Sequence, residues 1–220
     1  MVTRAILSVV AICAMATSAF PRIWQVNSNP GVSADFATVQ EAHDGAASGD
    51  TLYVAGSPIS YGDLTADRTL YIYGTGYFLD ENLHSQAHPV PCRMGAVSFQ
   101  AGSEGSYLSG ASLPSPHNAY TSVYVGANNI TLRKNRIEGI VSVADNVVNA
   151  VIGQNYLKSV QIGSLCSNIA IFNNLFHNLN TRAIDGQSDA SADVTGNVIE
   201  DYYAGANALM SIYNSTLIFP

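Results

Sequence analysis

Charge is what this sequence has least of. Only 11% of its 220 residues are Asp, Glu, Lys or Arg, against roughly a quarter in an ordinary globular chain. The charge present runs negative, with 9 basic against 16 acidic residues and a net charge of −7. A nucleic-acid partner wants a basic stripe, so that class is excluded. An acidic polymer such as pectate or alginate would need local basic patches or a bridging cation, which counts against a simple polyuronate binder. Cysteine is scarce too, at three residues. Cys13 falls in the N-terminal apolar segment, and Cys92 and Cys166 form no CxxC pair or His/Cys cluster. Neither zinc nor a disulfide scaffold is expected, only two buried thiols. After residue 19 no apolar run approaches the length of a membrane-spanning helix.

Met1 to Ala19 reads as a signal peptide. Arg4 is the positive end, Ala5 to Ala14 the apolar stretch, and Thr17-Ser18-Ala19 the small residues before a cut at Phe20. A cut after Ala16 is the alternative. A lipid anchor at Cys13 would put bulky Ile12 where such sites take a small residue. The expectation is an exported chain, secreted or at the cell surface, with one domain over residues 20–220.

What the sequence does have is a repeat. Asn129-Ile-Thr-Leu-Arg-Lys-Asn135-Arg-Ile137 recurs as Asn149 to Leu157, Asn168 to Phe176 and Ser191 to Ile199. A polar residue opens each copy, an aliphatic one stands three on, Asn six on and a large apolar residue eight on. Apolar residues at the second and fourth positions alternate as in a strand. The closing Asn135, Asn155, Asn174 and Asn197 break the alternation. Asn tolerates the left-handed backbone region, which suits a bend, and stacked Asn amides can form a hydrogen-bonded ladder. A period of about 20 residues is too short to bury its own apolar face, so copies must stack. Strand, bend, strand and loop at that period describe one turn of an all-β parallel solenoid with three short strands per turn.

The phrase resembles the repeat of right-handed parallel β-helix proteins, the superfamily whose fold is shared with pectate lyases. It is similar to the secreted bacterial right-handed β-helix repeat proteins, over about residues 23 to 219. Thr51-Leu-Tyr-Val54 after Gly49-Asp50 resembles that group's Gly-Asp-Thr-Ile-Tyr-Val phrase. The resemblance implies a short amphipathic helix over the open N-terminal end, and Asp35 to Ala47 is the segment that fits. Thr38 and Glu41 match a capping box, and Phe36, Val39, Ala42 and Ala46 make an apolar stripe. His43, on the same segment, reads as surface or cap packing. The chain stops at Pro220 within strand-like sequence. That reads as a truncated member of the group, or as an open end paired with another chain.

Chemistry is faint. Arg182, Asp185, Asp189 and Asp193 lie in an expanded loop after Asn174, where two carboxylates can divide acid and base work or hold calcium. Exposed loops have the same composition for other reasons. Arg133, Lys134, Arg136 and Lys158 form a basic group, and the resemblance implies that a basic residue can abstract a proton in lyases of this fold. Arg133 and Lys134 should face apart, which splits it. His84 and His88, with Asp80 and Glu81, fall in a proline-flanked excursion that reads as a solvated loop rather than a metal site. No catalytic residue, metal or cofactor is therefore assigned. Tyr53, Tyr71, Tyr73, Tyr124, Tyr156, Tyr202 and Tyr203 include candidates for outward rings that stack on sugars. The expected function is a non-catalytic exported scaffold or weak carbohydrate-binding or adhesive module, with a polysaccharide or cell-surface glycan as partner. The alternative is a polysaccharide lyase or glycoside hydrolase, or a remnant of one.

Overall fold

In a computed structural model the chain is a parallel β-solenoid of about six turns with one short helix near its N-terminus. The structure describes residues 20–79, 89–114, 121–177, 179 and 182–200, together with strands at 210–212 and 217–218. Residues 1–19, the excursion holding His84 and His88, Tyr202, Tyr203 and Pro220 lie outside them.

Three faces build each turn. Face A is a nine-stranded parallel sheet. Its strands are β1 (Ile23–Val26), β2 (Thr51–Val54), β4 (Tyr71–Tyr73), β7 (Tyr107–Ser109), β10 (Thr131–Arg133), β12 (Val151–Gly153), β14 (Ile169–Phe172), β17 (Ala192–Thr195) and β20 (Leu217–Ile218). Face B holds β5 (Cys92–Arg93), β8 (Ala111–Leu113), β15 (Leu175–Phe176), β18 (Val198–Ile199) and the front ends of two long strands. These are β11 (Arg136–Val143) and β13 (Tyr156–Ile162), and their rear halves continue into face C. Face C is completed by β3 (Leu64–Ala66), β6 (Val97–Phe99), β9 (Thr121–Val125), β16 (Ile184–Gly186) and β19 (Met210–Ile212). A register shift between Ile137 and Ile140 marks the bend from face B to face C.

The core is a set of columns. On face A, Leu52, Ile72, Leu108, Leu132, Ile152, Ile171 and Val194 are successive register partners, all buried. Each buried aliphatic side chain contributes roughly 1.5–3 kcal/mol, so the inward half of the strand alternation drives the coil closed.

At the corner between faces A and B, Asn135, Asn155, Asn174 and Asn197 form a column. Oδ1 of Asn155, Asn174 and Asn197 each accepts from the main-chain N–H and the Nδ2 of the asparagine one turn before it, at 2.9–3.1 Å, and Asn135 Oδ1 accepts from Ala111 N–H at 3.0 Å. Each Nδ2 also donates to a face A carbonyl of the preceding turn: Leu108, Leu132, Ile152 and Ile171. The left-handed residue is not the ladder asparagine but the one before it. Lys134, Gln154, Asn173 and Gly196 have φ of 54°, 59°, 52° and 63°. Turning the chain one residue early leaves the asparagine free to aim its amide inward, which corrects the sequence expectation. A second, exposed column stands at the corner entering face A. Asn129, Asn149 and Asn168 all have positive φ, and Nδ2 of each later one donates to Oδ1 of the one before, at 3.0 and 3.2 Å.

The helix, α1, spans Val39–Gly45, shorter than the Asp35 to Ala47 expected. Asp35 and Phe36 are kept out of the helix because both main-chain N–H groups donate to Gln25 O on β1, and Phe36 bridges to Val26. Thr38 and Glu41 form the reciprocal capping box that starts the helix. The helix covers the open edge of β3. Gln40 Oε1 accepts from Thr65 N–H at 2.8 Å, and Nε2 donates to Thr65 O at 3.4 Å, as a neighbouring strand would. His43 is buried, with Nε2 accepting from Asp67 N–H at 3.2 Å and Nδ1 2.9 Å from Asp44 Oδ1. Asp35 covers β1 in the same way, and main-chain bonds from Ser57 and Tyr61 cover β5. Every face thus has its first edge occupied, which blocks strand addition at this end.

Candidate functional site

The most distinctive outer surface is the N-terminal third of face A. Strand alternation that sends Leu52, Ile72 and Leu108 inward sends Tyr53, Tyr71, Tyr73 and Tyr107 outward. Tyr53 and Tyr73 are direct register partners with ring centres 5.7 Å apart. Tyr73 then meets Tyr107 on the diagonal at 5.3 Å, and Tyr71 pairs with Tyr107 in register. The result is an aromatic ladder crossing three strands, with Tyr53 46% and Tyr71 40% exposed. Burial pushes the Tyr73 phenol above its ordinary value, and neighbouring Tyr107, Tyr53 and Tyr71 add to it. The hydroxyl is therefore a neutral donor and acceptor at any physiological pH.

Beside the ladder lies an open groove of about 390 Å³, lined by Gln25, Tyr53, Val54, Ala55, Tyr73, Gly74 and Thr75. It adjoins a second hollow of about 500 Å³ that shares Ala55 and Thr75 and adds Asn27, Asn29, Val32 and Leu79. Gly74 keeps the corner bare, since a Cβ there would lie 2.4 Å from Gly110 O.

A second cluster stands on face B. Arg136 pairs with Glu138 and lies 5.0 and 5.6 Å from the ring centres of Phe78 and Tyr156. His177 stacks on Tyr156 at 3.7 Å, and its Nε2 is 3.7 Å from Glu138 Oε2. The phenol of Tyr77, also raised by burial, packs through its ring on Phe78.

The sequence candidates are dispersed. Arg182 and Asp185 do meet, Nη1 donating to Oδ1 at 2.9 Å. Asp185 is not in a loop, however, although Arg182 is. Ile184–Gly186 is strand β16, in register with Val160–Ile162, because Ile184 and Gly186 are buried and Asp185 alternates outward on face C. Asp189 takes a left-handed turn, φ 59°, between β16 and β17. Asp193 is exposed on face A, opposite Ala170 in register. The carboxylates of Asp185 and Asp193 thus leave the solenoid from different faces. Among the described residues, no group of three or more His, Cys, Asp or Glu is placed to hold a metal ion. The basic group divides as well. Arg133 lies on face A with its guanidinium 5.1 Å from the Phe172 ring centre, Lys134 is at the corner, and Arg136 and Lys158 are on face B.

No family model, curated protein or solved structure matches this chain. The site must therefore be argued from its own chemistry. Sequence reasoning named Tyr53, Tyr71 and Tyr73 without finding their ladder, and it missed Tyr107, Glu138, His177 and the groove residues Gln25 and Thr75. The one usable signal was the 20-residue step from Tyr53 to Tyr73, equal to one turn.

Proposed function

We propose that this chain is an exported, non-catalytic parallel β-helix, of the right-handed pectate-lyase-like kind, whose outer face A is a carbohydrate-binding, adhesive surface. The observation that carries this reading is the outward tyrosine ladder Tyr53–Tyr73–Tyr107 beside an open groove. Tyrosine joins an apolar ring face to a polar tip, which suits it to sugars, whose rings have apolar C–H faces and hydroxyl rims. A shallow, open groove on a rigid sheet fits weak, multi-point attachment better than chemistry that excludes water. Scattered carboxylates also support a binding role over hydrolysis, which needs two of them across one bond. Export is inferred from Met1 to Ala19. Among the described residues, no helix is long and apolar enough to cross a membrane.

The reading is tested by co-sedimenting the purified chain with insoluble glycans and cell-wall preparations. Retention that Tyr73→Ala abolishes is expected; equal retention of the variant refutes it. One observation favours the alternative of a lyase or hydrolase: the Glu138–His177 pair at 3.7 Å on face B, a carboxylate and an imidazole within reach of shared acid–base work. New reducing ends or unsaturated products from pectate, alginate or neutral glycans, lost in Glu138→Gln, would establish that instead.

A further inference from the structure

We infer that the ligand of the tyrosine face is a neutral, extended polysaccharide lying along the solenoid axis, with successive sugar rings on successive rungs. The inference rests on the carbohydrate-binding reading above and narrows it to a substrate class and an orientation.

Orientation follows from the register. Tyr53, Tyr73 and Tyr107 come from three consecutive strands of face A, so their ring centres advance across the strands and along the axis. Strands are spaced about 4.8 Å apart, close to the length of a pyranose ring, and a chain lying this way meets one aromatic contact per sugar. A chain running parallel to the strands would meet one rung and leave the other rings unused. Tyr71, exposed and in register with Tyr107, broadens the platform on one side. Gln25 and Thr75 border the groove on the other, where an amide and a hydroxyl match a rim of sugar hydroxyls.

Charge sets the class. No outward residue on the first four strands of face A is ionisable at neutral pH; beside the tyrosines stand Ile23, Gln25, Thr51 and Ser109. A polyuronate carries a carboxylate on every ring and would need a cation at each rung. Arg22, just before β1, holds its guanidinium over the Trp24 ring, and the next cation along this face is Arg133, one strand beyond the tyrosines, whose guanidinium already lies over Phe172. The net charge of −7 adds a general repulsion. A neutral chain pays neither penalty.

The experiment is calorimetric titration of the purified chain with cello- and manno-oligosaccharides of increasing length, and with oligogalacturonate and oligoalginate, at low and high salt. Wild type is compared with Tyr73→Ala, Tyr73→Phe and, as a second truncation at an exposed position, Tyr53→Ala, each checked for native circular dichroism. Affinity for a neutral series is expected to rise with each ring until about three rungs are spanned, and to be indifferent to salt. Tyr73→Ala should weaken it about tenfold, the equivalent of ~1.4 kcal/mol, while Tyr73→Phe keeps the ring and most of the affinity. Tighter binding of the uronates or affinity flat with length would overturn this inference and leave a glycan-binding role standing, whereas tyrosine truncations without effect would refute the tyrosine-face reading along with it. Failure of every glycan to bind, soluble or insoluble, would remove that role as well.

Discussion

Asn155 gives both its main-chain N–H and its side-chain Nδ2 to a single oxygen, Oδ1 of Asn174, at 2.9 and 3.1 Å. Asn135 treats Asn155 in the same way. One amide per turn therefore serves as both donor and acceptor inside a corner that water does not reach.

Replacing Asn155 by Ala removes the acceptor of two Asn135 donors and the donor to Leu132 O. Each buried group left unpaired costs about 1–3 kcal/mol, so a loss of about 3–5 kcal/mol is expected in urea unfolding. Asn197→Ala, at a half-buried rung, should lose about half as much. Equal losses at the two positions would count against the ladder as a main source of corner stability.

Asp50 is 2% exposed, and its carboxylate accepts from Arg22 N–H, Trp24 Nε1 and Ala47 N–H at 2.7–2.9 Å. Burial alone would raise its pKa, but the three donors outweigh it and hold the group below the ordinary carboxylate range. A depressed folded value means that this contribution is fully present above the unfolded value of ~3.9 and disappears as pH falls through the folded value. Asp50→Asn is expected to lower stability by about 2 kcal/mol at neutral pH. The gap between variant and wild type should close in acid. Denaturant midpoints measured across that range decide it, and a gap independent of pH would refute the assignment.

Gln40 occupies the exposed edge of β3 through its side-chain amide. Gln40→Ala should cost about 1 kcal/mol and, more tellingly, free Thr65 to pair with another chain. Light scattering at rising concentration should show self-association in Gln40→Ala and none in wild type. A variant that is as monodisperse as the parent would mean that other contacts guard the edge.

Burial pushes the Cys92 thiol up to about 12 and raises that of Cys166 as well. Both are buried and unpaired. Since the thiolate is the reactive form, neither should react with a thiol reagent in the native state at mildly alkaline pH, and both should react on unfolding. Rapid labelling without denaturant would contradict the burial.

Much of this fold is legible before any coordinates. The nine-residue phrase reports an inward aliphatic residue, a corner asparagine and the next inward residue, because strand periodicity acts within a few residues and the corner asparagine must recur at the interval of one turn to bond its neighbour. The same local reasoning misplaced the left-handed residue by one, since Asn129, Asn149 and Asn168 adopt that backbone while Asn135, Asn155 and Asn174 leave it to their predecessors. It stretched α1 toward Asp35, where pairing to Gln25 O outcompetes the helix. It also took Asp185 for a loop residue, because the short strand around it is defined by its partner β13 rather than by its own composition.

By itself, then, the sequence determined the coil: its period, its inward columns and the asparagines that turn its corner. Those properties repeat at one interval, so each phrase meets its own copy one turn away and the repeat reports the contact. Only the tertiary structure decided which outward side chains share a surface. Tyr53 and Tyr73 are one regular turn apart, but a long excursion separates Tyr73 from Tyr107, so chain distance says nothing of their adjacency. Hydrogen-bond register between β4 and β7 brings those rings to 5.3 Å, and register is settled by stacking whole turns, not by any single stretch of chain.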